Sequence, residues 1–383
     1  MTSTSKDNLP YLGIRFQIRY YTCNLSCPYC IASWRERPSP FDIDKFRDII
    51  QKIKELPYKI CLRIGVGGEI FTSPQILNVV KEICNEENNI FGVSFSSNIH
   101  ASYGKVIGPF IDSVNTAKLG MGCTLHDTVI KNIDAFFNKV KLLKENGVLL
   151  YVGNVAVPGR IKHLKEYKNR CDEIGVPFIV NALIGKAITN ENRSRKNKRW
   201  VLGVNWGRLG LSYPSYPRDY TPTERNQLKE LWFTPHSYQL LVNSTRTKGM
   251  RCSAGQNYIH IDHEGNVFPC LGIKNRMSNI VFPFLRDRYK MGNVLQDTIK
   301  FKTDDTVCPR YHCWCGNENQ ALRIVDKNYN RTRTLRYFYP KEELTEEKLY
   351  EGYNPSIYKI WHFITHPNYY IRQRFNFSKS KKK

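Results

Sequence analysis

The feature that most constrains this chain is a group of three cysteines within eight residues, Cys23-Asn-Leu-Ser-Cys27-Pro-Tyr-Cys30. Cysteine thiolates are the usual protein ligands of iron–sulfur clusters, and a [4Fe–4S] cluster normally takes four of them. The C-x3-C-x2-C spacing supplies three, so one iron would stay open to a small molecule. An iron with an open position does chemistry, whereas a fully ligated site usually carries electrons or holds a fold.

Two other interpretations of the three cysteines have to be weighed. Structural zinc sites usually take cysteines as C-x2–4-C pairs, with a second pair further along the chain. This chain offers no second pair before Cys252. A disulfide needs an oxidising compartment, and the N-terminus shows no secretory signal pattern. Zinc and unrelated thiols are therefore kept as the alternatives to an iron–sulfur site.

Strand patterns and helix patterns alternate over the first half of the chain. Strands are predicted over residues 13–21, 60–66, 91–95, 118–125, 148–152 and 177–183, and helices over 41–56, 74–85, 133–146 and 161–174. Six such β/α units imply a parallel sheet with right-handed crossovers. The predicted fold class is α/β, a partial (β/α)6 TIM-type barrel that is open on one side. The cysteines follow its first strand, at the edge that is catalytic in such barrels.

Two further motifs follow the predicted strands in order. Gly67-Gly68-Glu69 follows the second strand and Ser96-Ser97-Asn98 follows the third, while Tyr29 stands just before the third cysteine. Together with C-x3-C-x2-C after a first strand, these motifs resemble the radical S-adenosylmethionine (SAM) superfamily. The resemblance implies that SAM binds the open iron through its amino and carboxylate groups. It also implies that reductive cleavage of SAM yields a 5′-deoxyadenosyl radical, which abstracts hydrogen from a substrate.

The resemblance assigns a role to each matching residue. It implies that Cys23, Cys27 and Cys30 hold the catalytic cluster and that Tyr29 packs near the adenine of SAM. Gly67 and Gly68 lack Cβ atoms and would let the backbone approach the methionine part. Glu69 would offer a carboxylate to the SAM ammonium, and Ser97 and Asn98 lie where family members place a ribose contact. From the residues alone, Asn98 is also explained as a turn residue and Glu69 as a solvated loop charge.

Five more cysteines lie together in the last third of the chain. Cys252 precedes a hairpin pattern whose turn is Glu264-Gly265-Asn266 and whose second strand ends at Cys270. Twelve residues separate Cys252 from Gly265, and four separate Gly265 from Cys270. This spacing, followed by Met291-Gly-Asn-Val294, resembles the auxiliary-cluster domain called SPASM. The later cysteines depart from that pattern, because only Cys308, Cys313 and Cys315 follow.

Five thiols cannot fully ligate two cubane clusters. The resemblance therefore implies one auxiliary [4Fe–4S] cluster in a shortened, twitch-like domain with a β-hairpin and a helix. Cys252 and Cys270 are its firmest ligands. Which of the later cysteines completes the set is left open among Cys308, Cys313 and Cys315. A zinc site is the alternative. The hairpin is expected to lie outside the barrel that binds SAM. The other four of the twelve cysteines are expected to be buried as small hydrophobic residues, and these are Cys61, Cys84, Cys123 and Cys171.

The net charge is +24, from 58 basic and 34 acidic residues, and much of the excess lies in two places. One is Arg-Ser-Arg-Lys-Asn-Lys-Arg at 193–199, and the other is the basic aromatic tail at 369–383. Solvated surface explains both, as does attraction to an anionic partner. The predicted regions are the barrel over 1–185, a basic connector over 186–250, the cluster domain over 251–316, and a helical extension with the tail over 317–383.

The leading functional hypothesis is a radical SAM enzyme that acts on a sugar or another small, anionic metabolite. A flavodoxin or ferredoxin would supply the reducing electron, and the auxiliary cluster would transfer electrons or position the substrate. The alternative is a maturase that modifies a ribosomally made peptide or a protein side chain. Only 22 residues precede Cys23, too few for the N-terminal recognition domain that such relatives often carry. A remote alternative, a non-catalytic cluster protein that binds nucleic acid, leaves Gly67–Glu69 unexplained.

The expected location is the cytoplasm, where thiols stay reduced. No apolar run approaches the roughly 20 residues of a membrane span. The tail at 369–383 suits peripheral contact with a membrane surface. No stable nucleic-acid partner is expected.

Anaerobic reconstitution should load about eight irons per chain, four for each of two clusters. Replacing Cys23, Cys27 and Cys30 together by Ala should leave about four, because only the auxiliary cluster then keeps its ligands. Iron and zinc analysis of the purified proteins checks this, with Cys61→Ala as the matched control that keeps all the iron. A chain that holds zinc instead, or a triple variant with undiminished iron, contradicts the cluster assignment.

Overall fold

The computed structural model describes residues 9–30, 41–182, 200–201, 204–205, 221–231, 251–252, 254–274, 288–296, 298–303 and 306–307. For Cys252 it describes the backbone alone. Cys308, Cys313, Cys315, the basic run at 193–199 and the C-terminal region over 317–383 lie outside the described residues, so the predictions about them stay predictions.

A nine-stranded sheet forms the centre of the fold. Its first six strands run parallel in sequence order, and they are β1 (Tyr11–Gln17), β2 (Lys59–Gly65), β3 (Ile90–Ser97), β4 (Leu119–Leu125), β5 (Leu149–Ala156) and β6 (Phe178–Ala182). Each strand pairs with the next along the chain, with no reversal of direction across the sheet. This is the strand order of a singly wound barrel, whereas doubly wound sheets reverse at a switch point. The predicted partial barrel is confirmed.

Helices cover one face of this sheet. They are α1 (Ile43–Lys54), α2 (Pro74–Asn85), α3 (Gly108–Asp112), α4 (Ile133–Glu145) and α5 (Leu164–Ile174), and a sixth helix, α6 (Pro222–Leu231), follows. The apolar stripe of α1 (Phe46, Ile49, Ile50 and Ile53) is buried with the alternate β1 residues Leu12, Ile14 and Phe16. Alternation in the strand and helical spacing in the helix thus meet in one hydrophobic core.

Side-chain caps explain where these helices begin. Asp42 accepts a hydrogen bond from the backbone N–H of Lys45 at 2.9 Å, and Ser73 caps α2 in the same way. Such caps satisfy backbone donors that have no partner inside the helix. At the other end, Gly147 and Gly175 adopt positive φ angles of 80° and 70°, as residues that stop helices commonly do. The two glycines directly follow the predicted ends of the helices over 133–146 and 161–174.

The sequence patterns missed α3. A wide turn over Tyr103–Ile107 leads into it, and together the two segments fill the crossover between β3 and β4. Apolar spacing over so few residues gives no clear helical period. β1 also ends at Gln17, four residues before the predicted end, because the chain leaves the sheet there to form the cysteine loop.

The hairpin between Cys252 and Cys270 belongs to the same sheet. It consists of β10 (Tyr258–Asp262) and β11 (Asn266–Phe268), and β10 pairs in parallel with β1. A further strand, β12 (Gly292–Asn293), extends the edge beyond β11. The hairpin was expected to lie outside the barrel; in the structure it continues the barrel sheet past β1. The division of the chain into four regions stays a prediction.

Four short strands complete the described structure. β7 (Trp200–Val201) pairs with β8 (Val204–Asn205), and β9 (Arg251–Cys252) pairs with β13 (Thr306–Val307). A helical turn, α7 (Leu271–Lys274), follows Cys270. Within the described part of the chain, no helix has the length and apolar character that a membrane crossing requires.

Candidate functional site

The three clustered cysteines lie on the loop that leaves the carboxyl end of β1. Cys27 is buried, and Cys23 and Cys30 are half-buried. The backbone N–H of Cys30 donates to the carbonyl of Cys27 at 3.2 Å, and the N–H of Leu25 donates to the sulfur of Cys23 at 3.5 Å. The loop is therefore a compact turn with two thiols at its surface and one beneath.

The Gly67–Gly68–Glu69 motif holds the chain that leads into this loop. The N–H of Gly67 donates to the carbonyl of Tyr20 at 2.9 Å, and the N–H of Glu69 donates to that of Thr22 at 2.7 Å. A Cβ atom on Gly67 would lie 2.2 Å from the Tyr21 ring, and one on Gly68 would lie 2.0 Å from the Thr22 carbonyl oxygen. The contact between the two loops thus leaves no room for side chains at 67 and 68. The glycines were expected to make room for SAM. In the structure, Tyr21 and Thr22 fill the space that a Cβ atom on either glycine would occupy.

The carboxylate of Glu69 is buried and accepts three hydrogen bonds. Its donors are the hydroxyl of Ser97 at 2.7 Å, the backbone N–H of Asn98 at 2.7 Å, and the backbone N–H of Phe71 at 3.2 Å. Burial raises the pKa of Glu69, although all three donors act in the opposite direction. The solvated loop charge considered from the sequence is excluded, because Glu69 is 2% exposed. Its carboxylate ties the end of β2 to the end of β3.

Asn98 continues this connection to the cysteines. Its side-chain N–H donates to the side-chain oxygen of Asn24 at 2.8 Å and lies 3.8 Å from the sulfur of Cys23. Its side-chain oxygen accepts from the N–H of His100 at 2.8 Å. The contact of Asn98 with ribose stays a prediction; its present partners lie in the cysteine loop and in its own turn.

The turn after Asn98 is strained and is held by a lysine. Ile99 has a φ of 44°, a conformation that β-branched residues rarely adopt and that costs about 1–3 kcal/mol. The ammonium of Lys139 on α4 donates to the carbonyls of Ile99 at 3.0 Å and Ala101 at 2.8 Å. Burial lowers the pKa of Lys139. This contact stabilises the turn that orients Asn98.

Tyr29 joins the cysteine loop to the end of β4. Its hydroxyl lies 2.9 Å from Nδ1 of His126, and the two rings are tilted with centroids 5.9 Å apart. Burial, and after it the neighbouring Cys27, raises the pKa of Tyr29. The loop is therefore fixed to the carboxyl ends of β2, β3 and β4 by separate contacts. Packing of Tyr29 against adenine stays a prediction.

The donor set of this loop suits an iron–sulfur cluster. A cubane cluster spreads its thiolates over separate irons and favours soft sulfur ligands. Cys23, Cys27 and Cys30 supply three thiols on one short loop. Across the ranges that the structure describes, no three Cys, His, Asp or Glu side chains converge on a position for one metal ion.

The second group of cysteines is described in part. Cys270 is buried, and its sulfur accepts a hydrogen bond from the N–H of Ile273 at 3.3 Å. The backbone of Cys252 pairs with Thr306, two residues before Cys308 in the sequence. β11 ends at Phe268, which pairs with His260 in β10, and His260 pairs with Arg15 in β1. The end of β11 that precedes Cys270 therefore lies level with Arg15. Cys270 thus lies towards the amino ends of the strands, away from the Cys23 loop.

The four scattered cysteines are buried, as predicted. Cys61, Cys84, Cys123 and Cys171 are all 0% exposed. Burial raises the pKa of Cys84 and of Cys171 to about 12. These thiols therefore stay protonated, and they serve as small apolar residues of the core.

Sequence reasoning missed several residues around the site. Lys139 and His126 gave no signal, because a lone Lys on a helix and a lone His on a loop are common. Arg15 gave no signal either, because it takes a polar position of an alternating strand, whereas Arg63 is a charged residue inside an otherwise apolar strand pattern. Such a residue is rarely buried without a specific partner or role.

Comparison with known proteins gives a likeness to solved structures alone. No protein-family model and no curated protein matches the chain. Native anSMEcpe with bound AdoMet and Cp18Cys peptide aligns over 90% of this chain and 88% of its own, with 14% identity and a TM-score of 0.47. SuiB of Streptococcus suis bound to precursor peptide SuiA aligns over 78% and 66%, with 13% identity and a TM-score of 0.43. BtrN in complex with AdoMet and 2-DOIA aligns over 74% and 78%, with 13% identity and a TM-score of 0.34. At these values the likeness carries no conclusion about function.

Replacing Gly68 by Ala should displace the cysteine loop, because the new Cβ would overlap the Thr22 carbonyl. We expect a loss of about 1–3 kcal/mol in the free energy of unfolding, the usual cost of overpacking, and less iron after reconstitution. Gly104→Ala is the matched control, since a Cβ there meets nothing within 4 Å. Denaturant unfolding and iron analysis provide the comparison. Wild-type values of both in Gly68→Ala would show that the two loops are not coupled.

Replacing Glu69 by Gln should lower stability by about 1–3 kcal/mol at neutral pH, because only one oxygen would remain as an acceptor and the amide NH2 would face a donor such as the Asn98 N–H. Glu82→Gln, at an exposed ion pair with Arg47, should change it by no more than about 0.5 kcal/mol. The raised pKa means that the folded state holds the Glu69 proton more tightly than the unfolded chain. Wild type should therefore gain stability over the variant as pH falls through the raised pKa of the folded state towards the ordinary value of 4.5. A pH-independent difference in urea unfolding would contradict this.

Proposed function

We propose that this chain is a radical SAM enzyme. The observation that carries the proposal is the Cys23–Cys30 loop, bonded to the carboxyl ends of β2, β3 and β4 of a singly wound parallel sheet. In barrels of parallel strands this edge is where catalytic groups collect. Three thiols at that edge suit a cluster with one open iron.

The chemistry of the proposed reaction comes from the bound groups. When both groups are bound, a reduced [4Fe–4S] cluster would give one electron to SAM, whose C5′–S bond would break to leave methionine and a 5′-deoxyadenosyl radical able to remove hydrogen from the substrate. The chain has to hold those groups, orient them and exclude water.

The residues divide this work. Cys23, Cys27 and Cys30 bind the irons, and Asn98 holds the Cys23–Asn24 segment in place. Glu69 keeps the loops after β2 and β3 together, so that the main chain at 67–69 lies beside the cysteine loop. We place the methionine part of SAM along that main chain, and its ribose and adenine near Ser97 and Tyr29.

The second cysteine group has a separate role in the proposal. Cys252, Cys270 and one or more of Cys308, Cys313 and Cys315 hold one auxiliary cluster. Because Cys270 lies towards the amino ends of the strands, this cluster does not take part in binding SAM. It transfers electrons to or from the substrate, or positions it.

The substrate in this proposal is a small anionic metabolite. The charge of +24 attracts anions to the whole surface, and the inner face of the sheet carries buried arginine. A peptide substrate is the other outcome that an assay with candidate substrates would reveal.

The test is formation of 5′-deoxyadenosine from SAM under anaerobic reduction. Wild type should form it, and Cys27→Ala should reduce it to background because one iron loses its ligand. Cys84→Ala is the matched control, a buried cysteine outside both groups, and should keep full activity. Cys270→Ala should also keep SAM cleavage while losing turnover of the substrate. If wild type with about four or more irons forms no 5′-deoxyadenosine, the proposal is wrong.

A further inference from the structure

Two arginines lie side by side on the inner face of the sheet, opposite the face on which Leu12, Ile14 and Phe16 pack with α1. Arg15 in β1 pairs in register with Arg63 in β2, and Arg63 pairs with Ser94 in β3. Paired residues of parallel strands point to the same face and lie about 4.8 Å apart. Arg63 is 8% exposed and Arg15 is half-buried. The structure thus places two guanidinium groups on adjacent strands of a largely buried surface.

Both arginines extend towards the carboxyl ends of the strands. The guanidinium of Arg15 donates to the side-chain oxygen of Gln17 at 3.0 Å and lies over Gly65, where a Cβ would be 3.1 Å from its Nη2. The guanidinium of Arg63 donates to the Ser96 hydroxyl at 2.6 Å and to the Tyr151 hydroxyl at 3.0 Å. Ile64 in β2 pairs with Phe95 in β3, and Gly65 and Ser96 are the next residues of these strands. The two guanidinium groups therefore lie over neighbouring positions.

Glycines make room for this arrangement. A Cβ on Gly65 would lie 2.6 Å from the side-chain oxygen of Gln17. A Cβ on Gly122 would lie 2.3 Å from the Tyr151 hydroxyl, so the tyrosine lies flat across β4 to reach Arg63. Residues on five consecutive strands, with side chains from four of them, are therefore fitted around the two guanidinium groups. Such fitting is typical of a built binding surface and not of a solvated one.

Electrostatics decides what this surface binds. Two guanidinium groups over neighbouring positions both attract an anion, and burial strengthens the attraction because the local dielectric is low. An oxyanion between them makes two charge-assisted contacts. The guanidinium fork matches the two oxygens of a carboxylate or a phosphate, and hydroxyls such as Ser96 and Tyr151 add neutral donors.

We propose that Arg15 and Arg63 form a binding site for an oxyanion, the carboxylate or phosphate group of the substrate, on the inner face of the sheet. This proposal rests on the proposed function, since that reaction brings a substrate to the inner face. It deepens the earlier proposal by assigning anion recognition to these two arginines, with Ser96 and Tyr151 as the residues that position Arg63.

The test uses the full chain with inorganic phosphate and with acetate as probes. Isothermal titration calorimetry at constant ionic strength, set with chloride, should show one site for at least one probe. Arg15→Gln and Arg63→Gln should each weaken its Kd by roughly tenfold or more, because each removes hydrogen bonds to a charged group. Arg47→Gln is the matched control, an exposed arginine paired with Glu82, and should keep the wild-type Kd.

Conservative variants keep the test decisive if a Gln variant does not fold. Arg63→Lys retains the charge but loses the fork, and Tyr151→Phe removes a hydroxyl that orients the guanidinium. Both should weaken binding by several-fold while Tm in chloride stays close to that of wild type. Tighter binding of phosphate identifies a phosphorylated substrate, and tighter binding of acetate identifies a carboxylate.

Two results would overturn the site. One is the absence of saturable binding of either probe to the folded wild-type chain. The other is a Kd that stays unchanged in the arginine variants, which would place the bound anion on the basic surface. The probes need neither iron nor SAM, so this outcome is separate from that of the 5′-deoxyadenosine assay. A chain that binds phosphate but cleaves no SAM retains the anion site and loses the proposed reaction.

Discussion

A single buried carboxylate organises the carboxyl edge of this sheet. Glu69 receives hydrogen bonds from its own turn and from the end of β3, and its backbone N–H binds the segment before Cys23. A carboxylate taken out of water is costly unless donors replace the lost solvent. The three donors supply that replacement. Burial nevertheless raises the pKa of Glu69, although the three donors lower it. The ionised carboxylate therefore depends on the positions of these donors, which the geometry of both loops sets.

The cysteine loop depends on that geometry. Gly67 and Gly68 let the two loops touch at the level of their backbones, and Asn98 carries the contact on to Asn24 and Cys23. The ammonium of Lys139 donates to the carbonyl oxygen of Ile99 and so stabilises the strained turn there. A residue on α4 is thus linked through hydrogen-bonded groups to a cysteine sulfur. Hydrogen bonds to the ligands of a metal cluster orient those ligands and also tune the reduction potential of the cluster.

The fold could be predicted from sequence where one periodicity ran long enough. The predicted helix over 74–85 matches α2, because its apolar stripe is flanked by a serine cap and a proline at the first turn. The six strands were found because parallel strands buried on one face and half-buried on the other read as β-branched runs. The short α3 carried no such period. The parallel pairing of β10 with β1 joins residues more than two hundred positions apart, and no local pattern reports it.

The candidate site was predictable as a set of residues but not as a set of contacts. The resemblance to the radical SAM superfamily grouped Cys23, Gly67, Glu69 and Asn98, and the structure brings them together. It did not show that the glycines face the cysteine loop, because that follows from how two loops meet in space. The register of Arg15 with Arg63 was equally hidden. A one-residue shift between the strands would place one of them on the opposite face.

The sheet sets the order of these groups along the strands. β11 ends level with Arg15 and Cys270 follows two residues later, whereas the Cys23 loop begins past the carboxyl end of β1 at Gln17. The guanidinium groups of Arg15 and Arg63 lie over Gly65 and Ser96, which are level with Gln17. Strands rise about 3.3 Å per residue, so an anion bound between these groups would lie about 7 Å further towards the carboxyl edge than the Cα atoms of the two arginines. In the proposed reaction a substrate anchored there by its anion is held at the edge from which the cysteine loop leaves the sheet.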